Sequence, residues 1–150
     1  MVDVSEKSVT VRRAVAGCGV RLKRETLALL RSGGLAKGDA FAAARLAGIL
    51  AAKKTSELVP LCHVLNLEHV DVRFRDTSDG EGLQVEADVR ACAKTGVEME
   101  ALTAAAMAAL TLYDMAKAVD PAMVIGDLRL LAKTGGKHDF AHPGWSFDGV

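Results

Sequence analysis

Hydrophobic and polar positions alternate most regularly between residues 70 and 91. Val70, Val72 and Phe74 alternate with Asp71, Arg73 and Arg75. After the turn-rich stretch Asp76 to Gly82, Leu83, Val85, Ala87, Val89 and Ala91 alternate with Gln84, Glu86, Asp88 and Arg90. Successive side chains of a strand point to opposite faces, so this pattern predicts an antiparallel hairpin with one apolar and one polar face. Val9 and Val11, set between polar neighbours, predict an earlier strand.

The remaining apolar residues follow helical rules. Glu25 to Arg31 reads as a short helix stopped by Gly33-Gly34. Asp39 is a suitable N-cap for an alanine-rich helix running to about Lys53. A long helix is predicted from about Val97 to Val119, with Pro121 just beyond it. Met123 to Ala132, broken by Gly126, reads as a final strand. Val59 to Leu65 reads as an ordered loop and the tail His138 to Val150 as irregular. These elements make one α+β domain over 1–150, with a mostly antiparallel sheet and helices on one face. The other face and the apolar long helix leave room for subunit association.

Composition narrows the partners. The 150 residues are 50% apolar but only 4% aromatic, and alanine supplies much of the apolar count. Acids and bases balance at 19 each, which argues against bulk nucleic-acid or membrane-surface binding. The three cysteines, Cys18, Cys62 and Cys92, have no CxxC spacing, so thiols in a reducing compartment fit better than a disulfide framework. The start Met1-Val2-Asp3-Val4-Ser5-Glu6 has no apolar signal core, and no apolar run is long and bulky enough to span a membrane. The expectation is a soluble cytoplasmic protein that binds neither nucleic acid nor membrane.

Four segments could carry chemistry. Asp114 and Lys117, one helical turn apart, follow the uncharged run Ala101 to Leu112. They are either a surface ion pair or a proton-transfer pair at the edge of a pocket. His63, in Pro60-Leu61-Cys62-His63, is a structural loop histidine, a zinc ligand with Cys62 and His69, or a contact to a bound molecule. The zinc reading lacks a second tight ligand pair. In Lys94-Thr95-Gly96-Val97-Glu98-Met99-Glu100, the two acids either suit a helix N-terminus or accept hydrogen bonds from a ligand; in an extended segment they would point the same way. Lys133-Thr134-Gly135-Gly136-Lys137 offers glycines and cations to a phosphate, though it is not a Walker A loop. Lys37-Gly38-Asp39 lies ahead of a helix N-terminus, and Lys53-Lys54 near a helix C-terminus.

If Glu100 and Asp114 lie on one helix, a rise of about 1.5 Å per residue separates them by roughly 21 Å. One small ligand does not readily span that within a subunit, so either the two residues serve different purposes or the pocket is shared between subunits; the second reading is favoured.

Taken together, Lys53-Lys54-Thr55, Leu61-Cys62-His63, the run Lys94 to Ala105, Tyr113-Asp114-Met115 with Lys117-Ala118-Val119, and Leu130-Leu131-Ala132-Lys133 with Gly135-Gly136-Lys137 closely resemble the bacterial molybdenum-cofactor biosynthesis protein C family, the cyclic pyranopterin monophosphate synthases. The resemblance runs from Met1 to Phe140. It implies rearrangement of 3',8-cyclo-7,8-dihydroguanosine 5'-triphosphate to cyclic pyranopterin monophosphate with release of pyrophosphate. By motif it implies Asp114 and Lys117 as the acid/base pair, and Leu61, Cys62, His63, Met99 and Glu100 as substrate-binding residues. Glu98 would share guanine recognition. Arg12, Lys37, Lys53 and Lys133 are candidates for the phosphates or for nearby proton transfer. The resemblance further implies a ferredoxin-like subunit in a homohexamer built from dimers, with sites at interfaces. No protein metal site is expected, although Mg²⁺ could accompany the triphosphate. The competing class is a nucleotide- or phosphometabolite-binding sensor, which needs phosphate donors but no proton-transfer pair.

Overall fold

The computed structural model describes residues 1–143 and residue 145. The element order is β1 (Thr10–Arg21), α1 (Arg24–Ser32), α2 (Ala40–Lys53), α3 (Thr55–Leu58), β2 (His69–Asp76), β3 (Gly82–Ala93), α4 (Glu98–Ala116), β4 (Val124–Thr134) and β5 (Phe140–Ala141). The strands form one antiparallel sheet in the order β2-β3-β1-β4-β5. The first four strands, with their helical connections, have the strand order of a ferredoxin-like α+β fold. Among the described residues no helix is long and apolar enough to cross a membrane.

The hairpin forms in the expected register, with Val72 opposite Ala87 and Phe74 opposite Val85. Leu83, Val85, Ala87, Val89 and Ala91 are buried against the helices. The opposite face is charged but not uniformly wet. Asp88 is only 3% exposed and accepts hydrogen bonds from Arg13 Nη2 at 2.6 Å and Arg13 Nε at 3.0 Å. Its burial opposes ionisation, but the bonds from Arg13 and Arg90 outweigh that and hold its carboxyl below the ordinary value.

The early strand is present, but Val9 and Val11 are not its core positions. Both are exposed, and β1 buries Ala14, Ala16, Cys18 and Val20 toward the helices instead. Its middle is covered on both faces, which requires small side chains. A Cβ on Gly17 would lie 2.9 Å from Leu131 Cδ1 and 3.0 Å from the Val85 carbonyl. A run of Ala and Gly has no clear alternation, so the sequence pattern understates the central strand.

The helices start and stop for local reasons. Asp39 caps α2 by accepting from the Ala42 N–H at 3.0 Å. Gly33 ends α1 in the left-handed conformation at φ 69°. The α1 N-terminus has no side-chain cap of its own; Asp120, beyond α4, accepts from the Lys23 N–H and the Thr26 hydroxyl instead. Gly48 allows α2 and α4 to pack closely, since a Cβ there would sit 2.9 Å from the Ala104 carbonyl. The expected irregular tail contains one regular piece, β5, whose Phe140 pairs with Lys133. Residues 144 and 146–150 of that tail lie outside the described residues.

Candidate functional site

The candidate residues gather at the two ends of α4. Lys37, just ahead of α2, reaches the C-terminal end of α4. Its Nζ lies 2.6 Å from Asp114 Oδ2 and 2.9 Å from the Asp114 carbonyl oxygen. Lys117 Nζ lies 2.7 Å from Asp114 Oδ1, so one carboxylate holds two ammonium groups. Hydrogen bonds from Lys117 and Lys37 pull the Asp114 carboxyl down to about 2. The same contact with Asp114 raises Lys117 above its ordinary value. All three side chains are about half exposed in the single chain. The alternatives of surface pair and pocket pair therefore merge into an ionised three-charge cluster on an open surface.

The other end of α4 carries two neighbouring clefts. The first holds about 210 Å³ and is bordered by Arg12, Lys94, Glu98, Lys133, Gly136 and Lys137, among others. Lys133 Nζ donates to Glu98 Oε1 at 3.0 Å. Arg12 donates to the backbone carbonyls of Ala93 and Lys94, which fixes its guanidinium at the rim. Gly135 turns the following loop at φ 86°, and an added Cβ there would run into the Val11 carbonyl. This cleft is rich in cations and backbone turns, a suitable lining for an anion.

The second cleft holds about 320 Å³ and is bordered by Leu61, Cys62, His63, Glu98, Met99 and Glu100, together with residues of the N-terminal segment. The clefts share Lys7, Thr95, Gly96 and Glu98. Glu100 is 4% exposed. Burial, reinforced by the nearby charge of Glu98, raises its carboxyl above the ordinary value. Burial also raises the Cys62 thiol, and the charge of Glu100 adds to the effect. His63 Nε2 lies 2.9 Å from the Val2 carbonyl oxygen. A carbonyl only accepts, so Nε2 carries the proton and Nδ1 of a neutral His63 is left with its lone pair.

The expected extended geometry of Glu98 and Glu100 does not occur. Both lie in the first turn of α4, where residues two apart diverge rather than align. Glu98 turns to Lys133, and Glu100 is buried beside Cys62. They border the same cleft from different directions.

Of the sequence-predicted residues, Leu61, Cys62, His63, Glu98, Met99, Glu100, Arg12 and Lys133 come together at one end of α4. Lys37, Asp114 and Lys117 come together at the other. Lys53 is exposed at the end of α2 and borders neither cleft. Glu100 and Asp114 do share α4, and the helical rise places them roughly 21 Å apart. Lys137, read from its glycine-rich run as a cation for a phosphate, borders the first cleft, whereas sequence reasoning gave Lys7 and Lys94 no such role. Lys94 lies two residues from Gly96, a signal that could have found it; Lys7 had none. Among the described residues no three His, Cys, Asp or Glu side chains are grouped to hold a metal ion.

Comparison with known proteins identifies the family. The family model described as the MoaC family matches residues 1–136. A Chloroflexus aurantiacus protein named cyclic pyranopterin monophosphate synthase is 57% identical over 137 residues, 91% of this chain and 84% of that protein. Proteins of the same name from Chloroflexus aggregans and Brucella ovis are each 56% identical over 137 residues, 91% of this chain and 83% of theirs.

Proposed function

The chain belongs to the MoaC family, and on that premise we propose that it is a cyclic pyranopterin monophosphate synthase of molybdenum-cofactor biosynthesis. Its substrate would be 3',8-cyclo-7,8-dihydroguanosine 5'-triphosphate. The observation that carries this reading is the shared border of the two clefts. A cation-lined cleft suited to a triphosphate meets, at Glu98, a cleft floored by a buried carboxyl and edged by His63. A purine-derived ring with N–H donors next to a polyphosphate matches that pairing of chemistries.

The residues then divide the work. Arg12 and Lys133 neutralise the phosphates and the charge that develops as an internal hydroxyl attacks the α-phosphorus and pyrophosphate leaves. Leu61, Cys62 and Met99 bracket the ring, and Glu98 and Glu100 receive its N–H groups. Lys37 adds a cation beside Asp114 at the other end of α4, whereas Lys53, which borders neither cleft, is given no contact to the phosphates. Lys117 is the proton donor of this reading, and Asp114, held as a carboxylate, orients both lysines. Any Mg²⁺ would arrive with the triphosphate.

The two ends of α4 lie too far apart for one ligand, so the Asp114–Lys117 end of one protomer completes the His63–Glu98 end of another. A homohexamer built from dimers is the proposed assembly, in the cytoplasm. Leu46, Leu50 and Leu110, each about half exposed on α2 and α4, support burial against further copies. The test is incubation with the cyclic GTP-derived intermediate, followed by mass spectrometry for cyclic pyranopterin monophosphate and pyrophosphate. Tight binding without either product would favour a sensor and remove the enzyme reading.

A further inference from the structure

Lys117 stands at the very end of α4, as its C-cap residue. Helix ends fray first, because the last carbonyls have no partners further along the helix. The contact of Lys117 Nζ with Asp114 Oδ1, three residues back, exists only while Lys117 keeps its helical backbone, φ −56° and ψ −24°. Lys37 already neutralises Asp114, so the carboxylate has little further pull on a Lys117 that has frayed away. The hold on Lys117 must come from the backbone turn that carries it.

Two side chains tie that turn down. The first contact is local: the Tyr113 hydroxyl donates to the Pro121 carbonyl at 3.0 Å. Along the backbone, the Lys117 N–H donates to the Tyr113 carbonyl at 2.8 Å. The Val119 and Asp120 N–H groups both donate to the Ala116 carbonyl, at 2.9 and 3.0 Å. Residues 113–121 therefore close into a loop with Lys117 at its middle. The second contact is long-range. The Asp120 carboxylate, 1% exposed, accepts from the Lys23 N–H at 2.9 Å and from the Thr26 hydroxyl at 3.1 Å. Lys23 lies between the end of β1 and the start of α1, so this bond fixes the loop to the body of the fold.

We propose that Tyr113 and Asp120 are positioning residues for Lys117: together they keep the last turn of α4 from fraying and so hold the Lys117 ammonium at Asp114. The inference rests on the proton-donor reading of Lys117 and adds the two side chains through which its place is kept. Neither touches the ligand in this reading. Tyr113 closes the loop on itself, and Asp120 sets where the closed loop sits.

The test pairs amide hydrogen exchange with steady-state kinetics on the full-length protein. Tyr113→Phe removes the hydroxyl and keeps the ring. In that variant the amides of Lys117, Val119 and Asp120 should exchange about fivefold faster, while Ala101 at the other end of α4 keeps its rate. kcat should fall about threefold with KM unchanged, because fewer molecules have the donor in place and the clefts are untouched. Asp120→Ala should lower kcat about tenfold, and Asp120→Asn, which retains an acceptor oxygen, should restore most of it. If Asp120→Ala does not fold, the Tyr113→Phe measurements decide alone. The proposal is overturned if the three amides exchange as in wild type, if exchange accelerates equally along all of α4, or if they exchange faster while kcat stays the same. The exchange readout needs no substrate, so the two readings fail separately. Faster exchange confined to the turn, in a protein that makes no product, leaves the clamp and removes the synthase reading. Product formation with a silent Tyr113→Phe does the reverse.

Discussion

Lys37 Nζ meets Asp114 twice, at the carboxylate 2.6 Å away and at the backbone carbonyl 2.9 Å away. The contact ties the residue before α2 to the last turns of α4, and it leaves the second carboxylate oxygen for Lys117. Substituting Asp114 by asparagine keeps the shape but releases both ammonium groups. The expected result is a loss of turnover of about a hundredfold or more. The melting temperature should move by no more than about 2 °C, since the pair is half exposed. Thermal melts and product assays on the same preparation check both halves. Lys117→Arg keeps the charge but holds its proton too tightly to donate it, so it should be nearly as inactive. Full turnover in that variant would exclude proton transfer by Lys117.

The separation of Glu100 from Asp114 along α4 makes a prediction about assembly. Glu100→Gln and Asp114→Asn should each be inactive alone. Mixed and reassembled, they should recover up to roughly a quarter of wild-type turnover, the share of interfacial sites in which both halves come intact. Assays after unfolding and joint refolding would read this directly. No recovery in hybrids shown by mass to contain both variants would argue for a site within one subunit.

Asp88 is buried between two arginines on the sheet face away from the helices. Asp88→Asn leaves Arg13 and Arg90 without their counter-charge and should cost about 2–3 kcal/mol in denaturant unfolding. The pH dependence follows from the depressed carboxyl. Its stabilisation is fully present above the unfolded value of 3.8 and is lost as pH falls through the lower folded value. The deficit of the variant should therefore be complete at neutral pH and shrink below pH 3.8. A deficit that does not change with pH would show that packing, not charge, sets the cost.

Gly48→Ala sets two effects against each other. Alanine gains about 1 kcal/mol of helix propensity over glycine. The new methyl, however, would lie 2.9 Å from the Ala104 carbonyl and 3.1 Å from Val72 Cγ2, and backbone does not yield cheaply. Overpacking of this kind costs about 1–3 kcal/mol, so net destabilisation is expected. Because α2 and α4 would be pushed apart, the Lys37–Asp114 contact should loosen and turnover fall with stability. A variant as stable as wild type would mean the helices can separate freely.

The hairpin was legible because Val70 to Ala91 obeys a two-residue period that few other structures tolerate. Asp39 and Gly33-Gly34 marked helix ends through local chemistry alone. Strand β1 was harder to read, since its buried middle is made of residues too small to show a period. Glu98 and Glu100 misled for a related reason: the first residues of a helix and the last of an extended segment look alike until hydrogen bonds decide between them.

The amino-acid order by itself determined the element types, the α+β class and the set of chemically suited residues, because propensity, capping and period act over a few neighbouring positions. It also carried the separation of Glu100 from Asp114, which needs only the rise of a helix. The tertiary structure alone decided which residues meet. Lys37 lies 77 positions from Asp114 and His63 lies 61 from Val2, yet each pair is in contact. Such pairings follow from strand order and from how closely two helices approach at Gly48. Those are properties of the packed chain as a whole, and no local stretch of sequence encodes them.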